Sequence, residues 1–217
     1  MKLLLKFFRI IPKLLDIKYD LTWEMKIFFL DKLNGFDFKP TLDIVEKSSL
    51  IKEGRHNNEP SGNRYLKKAL KKLKITEQDS IIDIGCGKGD AIRLFCQFKF
   101  NKITGIEYSQ NLTKIASSNF SKKKFVKKNI EIVNLDAQVF EEYSLYNMFY
   151  LYNPFDDVIL NNVLEKIINA KKESRYYIIY AHPIHHKLFQ VKYSCLNFET
   201  FRFGISGDLK LNIYTIN

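Results

Sequence analysis

Short apolar runs and amphipathic segments alternate along this chain from Ser80 onward, and the alternation predicts strands and helices in turn. Five apolar runs predict strands: "SIIDIG", "KITGIEY", "IEIVNLD", "YNMFYLYN" and "RYYIIYAHP". Between them, four segments predict helices: "GDAIRLFCQF", "SQNLTKIASSNF", "VFEEYSL" and "DDVILNNVLEKIINAK". Strands that alternate with helices form a mostly parallel sheet covered by helices on both faces.

The C-terminal end follows a different pattern. In "NFETFRFGISGDLKLNIYTIN", two runs of alternating apolar and polar residues flank Gly204 and Gly207. Because the space between the two runs is too short for a helix, they predict an antiparallel hairpin that closes the sheet.

Residues 1–60 have a different character and are predicted to form an N-terminal helical extension, with residues 61–217 as the main domain. The polar stretch "IKEGRHNNEPSGNR" is the clearest loop, and we expect its residues 55–59 to fold over a ligand as a lid. A helix is predicted through "RYLKKALKKLKI", with either Ser61 or Asn63 as its N-terminal cap.

The charge and the cysteine content of the chain indicate which classes of partner and which cellular location to expect. The chain has 217 residues, 35 basic and 24 acidic, with a net charge of +11, which suits nucleic acid, an acidic substrate or a membrane surface. A lysine-rich solvated surface is the simpler interpretation, and no nucleic-acid-binding motif is present, so nucleic acid is not an expected partner. Three scattered cysteines indicate neither a disulfide framework nor a zinc knuckle, and a cytoplasmic location is expected.

The first residues, "MKLLLKFFRIIPKLL", predict a basic amphipathic helix. No uncharged run approaches the roughly 20 residues that span a bilayer, and no signal-peptide cleavage site follows. Residues 1–78 carry 17 basic and 10 acidic side chains. The helix can therefore lie on an anionic membrane as a peripheral contact, or dock on the domain or on a second copy. The sequence carries no signal for an oligomeric state.

The stretch "SIIDIGCGKGDAIRLF" contains the main candidate for chemistry. Gly85, Gly87 and Gly89 follow the first strand of the sheet, where ligands of parallel sheets bind and where glycine allows close approach to the backbone. Glu107 ends the second strand, where a carboxylate can accept from both hydroxyls of a ribose. Asp136 closes the third strand, where it can contact an adenine amino group. Alone, each carboxylate is equally explained as a cap or turn residue.

Two nucleotide cofactors can occupy such a turn. A dinucleotide fold usually has G-x-G-x-x-G, whereas Asp90 stands here in place of the last glycine. Asp83 and Asp90 flank the turn, and carboxylates disfavour a pyrophosphate. S-adenosylmethionine carries a sulfonium and an ammonium group, so an acidic rim suits this cofactor better.

From about Tyr65 to Asn217 the chain resembles the class I S-adenosylmethionine-dependent methyltransferases, in "IIDIGCGKGD", "ITGIEYS", "NLDAQVF" and the terminal hairpin. The resemblance implies a Rossmann-like three-layer sandwich with a seven-stranded, mostly parallel sheet, and S-adenosylmethionine as cofactor. It also implies a set of cofactor-binding residues, in which Asp83 and the glycine turn hold the methionine part, Glu107 the ribose, and Asp136 with Ala137 the adenine. In full the set is Asp83, Gly85, Cys86, Gly87, Gly89, Glu107, Tyr108, Asp136 and Ala137.

The segment after the fourth strand is the candidate for contact with the methyl acceptor. Asn153, Pro154 and Phe155 resemble the N-P-P-Y motif of amino-group methyltransferases and, more weakly, a segment of non-SET lysine methyltransferases, although the second proline is missing. In that family the asparagine and a backbone carbonyl orient the target amine, and the aromatic ring packs on the target. The alternative is purely local, with Asn153 as a helix cap and Pro154 in the first turn.

"HPIHH" follows the fifth strand, so that His182, His185 and His186 face the same edge. They can contact the acceptor, accept a proton or be plain loop residues, and no metal site is predicted because supporting ligands are absent nearby.

Together these features predict a methyltransferase that moves a methyl group from S-adenosylmethionine to an N or O nucleophile of a protein, glycan or small molecule. The alternative is a non-catalytic S-adenosylmethionine-binding regulatory or scaffold protein. A nucleic-acid-binding module would rest on charge alone.

Overall fold

The computed structural model describes residues 25, 28–29, 31–39, 61–170, 176–193, 196–203 and 209–216. The predicted N-terminal amphipathic helix and the predicted lid at residues 55–59 lie outside the described residues. We label the elements in chain order from the first one with defined bounds. The helices are α1 (Arg64–Lys72), α2 (Asp90–Phe95), α3 (Gln110–Phe120), α4 (Asp157–Asn169) and α5 (His186–Lys192), with a 3-10 helix at Glu142–Leu145.

The strands are β1 (Ser80–Ile84), β2 (Lys102–Glu107), β3 (Ile130–Asn134), β4 (Met148–Tyr152), β5 (Tyr176–Ala181), β6 (Asn197–Phe203) and β7 (Leu209–Ile216). Within the described residues they form one seven-stranded sheet in the order β3-β2-β1-β4-β5-β7-β6. The first five strands pair in parallel, and β7 pairs antiparallel with both β5 and β6. The predicted mostly parallel sheet with a C-terminal hairpin is confirmed.

Buried side chains on the two faces of the sheet form two cores. In β1, Ile82 and Ile84 belong to one core. Ile81, which directly precedes Ile82, belongs to the other core. This division follows from the two-residue period of a strand, whose successive side chains point to opposite faces. All three are fully buried, as expected for a parallel sheet that helices cover on both sides.

Helix α1 has two candidate N-terminal caps in the sequence, Ser61 and Asn63. The Asn63 side chain accepts hydrogen bonds from the backbone N–H groups of Tyr65 and Leu66, both at 3.0 Å, so that Asn63 is the cap. Leu66 and Leu70 are buried against the sheet, so their side of the helix is the face that docks on the domain.

Three differences from the predicted elements are local. Helix α2 ends at Phe95, sooner than the apolar pattern predicts. The segment predicted as a short helix is the 3-10 helix. Helix α5 was not predicted, because Phe189 is its single buried residue and one apolar position gives no helical period. None of the described helices is both long and apolar enough to span a membrane.

Residues 31–39 pack onto the same domain, although the predicted boundary assigns them to the extension. Phe38 is buried in one of the two cores, with its ring centroid 5.9 Å from that of Phe120 at the end of α3. Phe36 lies beside Phe125 at 5.6 Å. These contacts bring the acidic side chains of the segment close to the glycine turn.

Candidate functional site

The candidate residues meet along one edge of the sheet, which we call the carboxyl edge because the five parallel strands end there. The glycine turn follows β1, Glu107 ends β2, and Asp136 comes shortly after β3. Asn153 follows β4, and His182 follows β5. The order of the strands reverses between β1 and β4, so the turn lies at the switch point where parallel sheets bind ligands.

The glycine turn needs its glycines for two reasons. Gly85, Gly87 and Gly89 have φ values of +79°, +53° and +87°, which residues with a Cβ rarely adopt. A Cβ at Gly89 would also lie 2.4 Å from the Phe120 ring, and one at Gly85 would lie 2.7 Å from Cβ of Pro154. The turn is therefore closely packed on both sides, and α2 begins directly after it.

Glu107 connects the second strand to this turn. One carboxylate oxygen accepts from the N–H of Gly87 at 2.8 Å, and the other accepts from the N–H of Ser109 at 2.8 Å. The side chain is only 8% exposed. These two bonds fix the orientation of the carboxylate at the end of β2.

Asp83 lies in β1 beneath the turn and is the most unusual polar group of the site. It is buried, and its Oδ2 atom has no hydrogen-bond partner. Burial raises the pKa of this carboxyl well above its usual range, and the nearby carboxylates of Glu107 and Asp90 raise it further. An unsatisfied buried carboxylate beside two others is costly, and a cationic ligand would relieve this cost. The residues therefore fit a positively charged cofactor.

Cys86 lies in the same turn, with its side chain buried. Burial raises the pKa of its thiol well above the usual value, with further contributions from Asp83 and Glu107. A thiol that stays protonated is a poor nucleophile, so the position of Cys86 indicates packing under the turn.

Two salt bridges fasten the N-terminal segment to the turn, and sequence reasoning missed both. The ammonium group of Lys88 is within 3.0 Å of both carboxylate oxygens of Asp37. Arg93 in α2 donates to both oxygens of Asp31, at 2.7 and 2.8 Å. Asn119 connects the two segments by donating to the carbonyls of Asp37 and Lys88. Nothing in the sequence pattern pairs residues so far apart.

Asp90 stands where a dinucleotide-binding motif has its last glycine. Its carboxylate forms hydrogen bonds with other residues of the protein. Its carboxylate accepts from the N–H of Gly62 at 2.7 Å and from Arg93. Burial raises the pKa of Asp90, while the Arg93 guanidinium and the bond from Gly62 oppose this rise. Asp90 therefore anchors the residues before α1 to the beginning of α2.

The predicted adenine-side residues lie at the same edge. Asp136 accepts from the N–H of Gln138 at 2.9 Å, and Ala137 is buried, with its carbonyl accepting from the Tyr143 hydroxyl at 2.8 Å. Tyr108, directly after Glu107, is 45% exposed. An exposed tyrosine therefore directly follows the carboxylate that is predicted to bind the ribose.

Asn153 occupies a strained position after β4. Its φ is +41°, its side chain is buried, and its Oδ1 accepts from the Tyr180 hydroxyl at 2.9 Å. The prediction of a helix cap at Asn153 is wrong, because Asp156 caps α4 by accepting from the N–H of Ile159. Tyr180 in β5, which sequence reasoning also missed, fixes the Asn153 amide with its carbonyl oxygen toward the phenol.

The two residues after Asn153 pack inward. Pro154 lies against Gly85, as described above, and so joins the β4 end of the edge to the glycine turn. Phe155 is 6% exposed and belongs to a hydrophobic core. The ring of Phe155 is therefore engaged in packing, and its predicted contact with an acceptor stays a prediction.

The three histidines have separate environments. His182 is exposed, with φ +50°, and its ring stacks on Tyr152 at a centroid distance of 6.4 Å. His185 precedes α5. The Nδ1 atom of His186 is 2.7 Å from the Tyr214 hydroxyl, and burial lowers the pKa of His186. Across the described ranges, no three metal-binding side chains converge.

Comparison with known proteins adds to this geometry. A family model described as "Methyltransferase domain" matches residues 75–190, just over half of the chain. A search of curated proteins found no match.

Many solved structures share the fold. A SAM-dependent methyltransferase from Aquifex aeolicus is 14% identical, with a TM-score of 0.54 over 81% of this chain and 98% of its own. A precorrin-6y C5,15-methyltransferase from Geobacter metallireducens is 15% identical, with a TM-score of 0.56 over 76% of this chain and 95% of its own. The glycopeptide N-methyltransferase MtfA, in complex with S-adenosyl-L-methionine, is 9% identical, with a TM-score of 0.56 over 70% of this chain and 92% of its own.

Proposed function

The chain belongs to the class I S-adenosylmethionine-dependent methyltransferases, and we propose that it methylates a nitrogen or oxygen nucleophile of its acceptor. The observation that carries this proposal is the acidic cluster at the glycine turn, where the buried Oδ2 of Asp83 lacks a partner. The cofactor supplies a methyl group activated on a positively charged sulfonium. Lys88, the cation of the turn, is already paired with Asp37, so the surrounding carboxylates suit this charge.

On the cofactor side, each residue has a proposed contact. Glu107 accepts hydrogen bonds from the ribose hydroxyls, because its carboxylate is already oriented by Gly87 and Ser109. Asp83 and the backbone of the turn hold the methionine part. Asp136 and Ala137 lie where the adenine would be bound, and the exposed ring of Tyr108 covers it.

On the acceptor side, we assign orientation of the nucleophile to Asn153. The side-chain oxygen and the backbone carbonyl of Asn153 accept hydrogen bonds from the N–H or O–H of the acceptor, which directs a lone pair at the methyl group. The Tyr180 hydroxyl holds the amide in place. Transfer to a neutral amine depends mainly on alignment and proximity, and so needs no strong base.

Titration with S-adenosylhomocysteine tests the cofactor site. We expect micromolar binding by the wild type and about a 100-fold weaker affinity in Glu107→Gln, because the neutral amide loses two charge-assisted hydrogen bonds. Glu131→Gln is the matched control, since Glu131 lies in β3 and pairs with Lys102 at 2.8 Å. Preference for NAD, or equal binding by Glu107→Gln, would contradict the assignment.

Transfer of labelled methyl groups to a panel of acceptors tests catalysis. Asn153→Ala is expected to lose transfer by about 100-fold while its affinity for S-adenosylhomocysteine stays within about twofold of the wild type. If the variant and the wild type are equally inactive while both bind the cofactor, the protein is a non-catalytic binder.

A further inference from the structure

Residues 31–39 lie outside the part of the chain that matches the methyltransferase family model, which begins at residue 75. They nevertheless contact the outer side of the glycine turn. The ammonium group of Lys88 is within 3.0 Å of both carboxylate oxygens of Asp37. The Lys88 side chain is only 8% exposed, whereas that of Asp37 is 52% exposed. A buried ammonium group in the turn is therefore compensated by a carboxylate from a distant part of the chain.

Further contacts fix the backbone at the same place. Asn119 in α3 accepts from the N–H of Asp37 at 2.9 Å and donates to the carbonyls of both Asp37 and Lys88, at 2.8 and 3.2 Å. Phe38 packs its ring against Phe120, and the Phe120 ring also lies against the glycine turn. Main chain and side chains of the segment together support the turn from its outer side.

The inner side of the turn is bonded to the residue assigned to the cofactor ribose. Gly87, directly before Lys88, donates its N–H to Glu107 at 2.8 Å. One planar peptide bond joins Gly87 to Lys88, so a displacement of Lys88 also displaces the N–H that orients Glu107. Glycine has more backbone freedom than any other residue. A turn with three glycines therefore needs contacts from outside to stay in one conformation.

Loss of the Asp37 carboxylate would have a different result from loss of an exposed salt bridge. Glu165 and Lys192, which form such a pair, are 47% and 45% exposed, so water can solvate either charge when its partner is removed. Removal of one partner from a buried charge leaves that charge uncompensated. Lys88 would then have to move toward water, and its movement would change the conformation of the turn.

We propose that Asp37 is a positioning residue of the cofactor site, which acts through Lys88 to hold the glycine turn in its cofactor-binding conformation. This inference rests on the proposed contact of Glu107 with the ribose. Docking of residues 31–39 and binding of the cofactor are then coupled, because both stabilise the same conformation of the turn.

Titration with S-adenosylhomocysteine tests the proposal in a double-mutant cycle of Asp37→Asn and Lys88→Met. We expect Asp37→Asn to weaken the affinity by about tenfold, because the ammonium group of Lys88 loses its counter-charge. In the Lys88→Met background, Asp37→Asn should change the affinity by less than about twofold, since the charge that Asp37 compensates is absent. Asp37→Glu retains the carboxylate and should largely restore the wild-type affinity.

Amide hydrogen exchange of the protein without ligand is a second measurement. In the wild type, the N–H groups of Gly87 and Gly89 donate to the Glu107 carboxylate and to the Cys86 carbonyl. Asp37→Asn should increase the exchange rate of both amides by about tenfold, because the turn opens more often. Unchanged exchange at both amides would overturn the proposal.

Glu165→Gln is the matched control, because Glu165 is also paired with a lysine and is exposed to a similar extent as Asp37. It should leave the affinity for S-adenosylhomocysteine unchanged. All variants are compared at a temperature at which they are folded, so that lower stability alone does not change the result. Equal binding by Asp37→Asn and the wild type would overturn the proposal. So would an equal loss from Asp37→Asn in both backgrounds, because Asp37 would then not act through Lys88.

The wild type and Glu107→Gln separate this proposal from the one on which it rests. If the wild type binds S-adenosylhomocysteine and Glu107→Gln loses affinity while Asp37→Asn does not, only the positioning role fails. If the wild type does not bind S-adenosylhomocysteine, the cofactor site and the positioning role are both refuted.

Discussion

The carboxyl edge has two halves that differ in how they treat charge and backbone strain. The half around the glycine turn is acidic, buried and tied to its surroundings by paired groups such as Glu107 with Gly87 and Lys88 with Asp37. The half around the ends of β4 and β5, which we call the acceptor half after its proposed role, carries Asn153 and the exposed His182. Under the proposed function, one half of the edge binds the methyl donor and the other half contacts the acceptor. The two ligands differ in chemistry, so the two halves need different side chains.

Backbone strain shows the same difference. In the cofactor half, left-handed backbone occurs at Gly85, Gly87 and Gly89, where it costs little. In the acceptor half, it occurs at Asn153 and His182, which have side chains. Strain of about 1–3 kcal/mol at a residue with a Cβ is retained where the side chain is needed at that place. This strain is consistent with the role proposed for Asn153 and marks His182 as a second position to test.

The largest expected effect on stability comes from adding a Cβ in the cofactor half. Gly89→Ala combines a left-handed backbone with a clash against the Phe120 ring, and should lower the free energy of unfolding by about 2–4 kcal/mol. Gly35→Ala is the control for strain alone, since its φ is also positive but its nearest neighbour is the flexible end of Lys122 at 3.7 Å. Urea denaturation measures both, and equal losses would show that the packing of Phe120 contributes nothing.

The second-largest expected effect is a dependence of stability on pH that comes from the buried Asp83 in the cofactor half. Because the pKa of Asp83 is raised in the folded protein, the folded state holds its proton more tightly than the unfolded state. This residue's contribution to stability is therefore present at low pH and declines as pH rises toward the raised pKa. Asp83→Asn, which cannot ionise, should gain stability relative to the wild type as pH rises from 4 to 8.

Thermal unfolding across this pH range measures the difference between Asp83→Asn and the wild type. The same measurement on Asp157→Asn, in the exposed first turn of α4, controls for loss of a surface charge. A difference for Asp83→Asn that stays constant with pH would contradict the assignment of a raised pKa.

The smallest effect is expected in the acceptor half. His182→Gly relieves the left-handed strain but adds backbone entropy to the unfolded chain, so its stability should stay within about 1 kcal/mol of the wild type. His182→Ala keeps the strain and loses the ring contact with Tyr152, and should be the less stable of the two. Chemical denaturation of both variants checks this order. If His182→Gly is the less stable, strain is not what distinguishes the two halves.

The succession of strands and helices along the chain, the terminal hairpin and the positions of Gly85, Glu107 and Asp136 at or just after strand ends were predictable from the sequence. Each depends on local pattern, because period-two alternation and glycine in a tight turn are properties of neighbouring residues. Helix α5 and the true cap of α4 were not predicted, since a single apolar position or a run of several capping residues leaves the choice to tertiary contacts.

What the sequence by itself determined was the class of fold and the identity of the cofactor, because their signals are short-range and ordered along the chain. Only the tertiary structure decided how Asp31 and Asp37 reach the glycine turn, and that the N–H of His182 donates to the carbonyl of Lys210. These pairs are far apart in sequence. They are brought together by the packing of the two cores and the pairing of β5 with β7, so no local pattern could specify them.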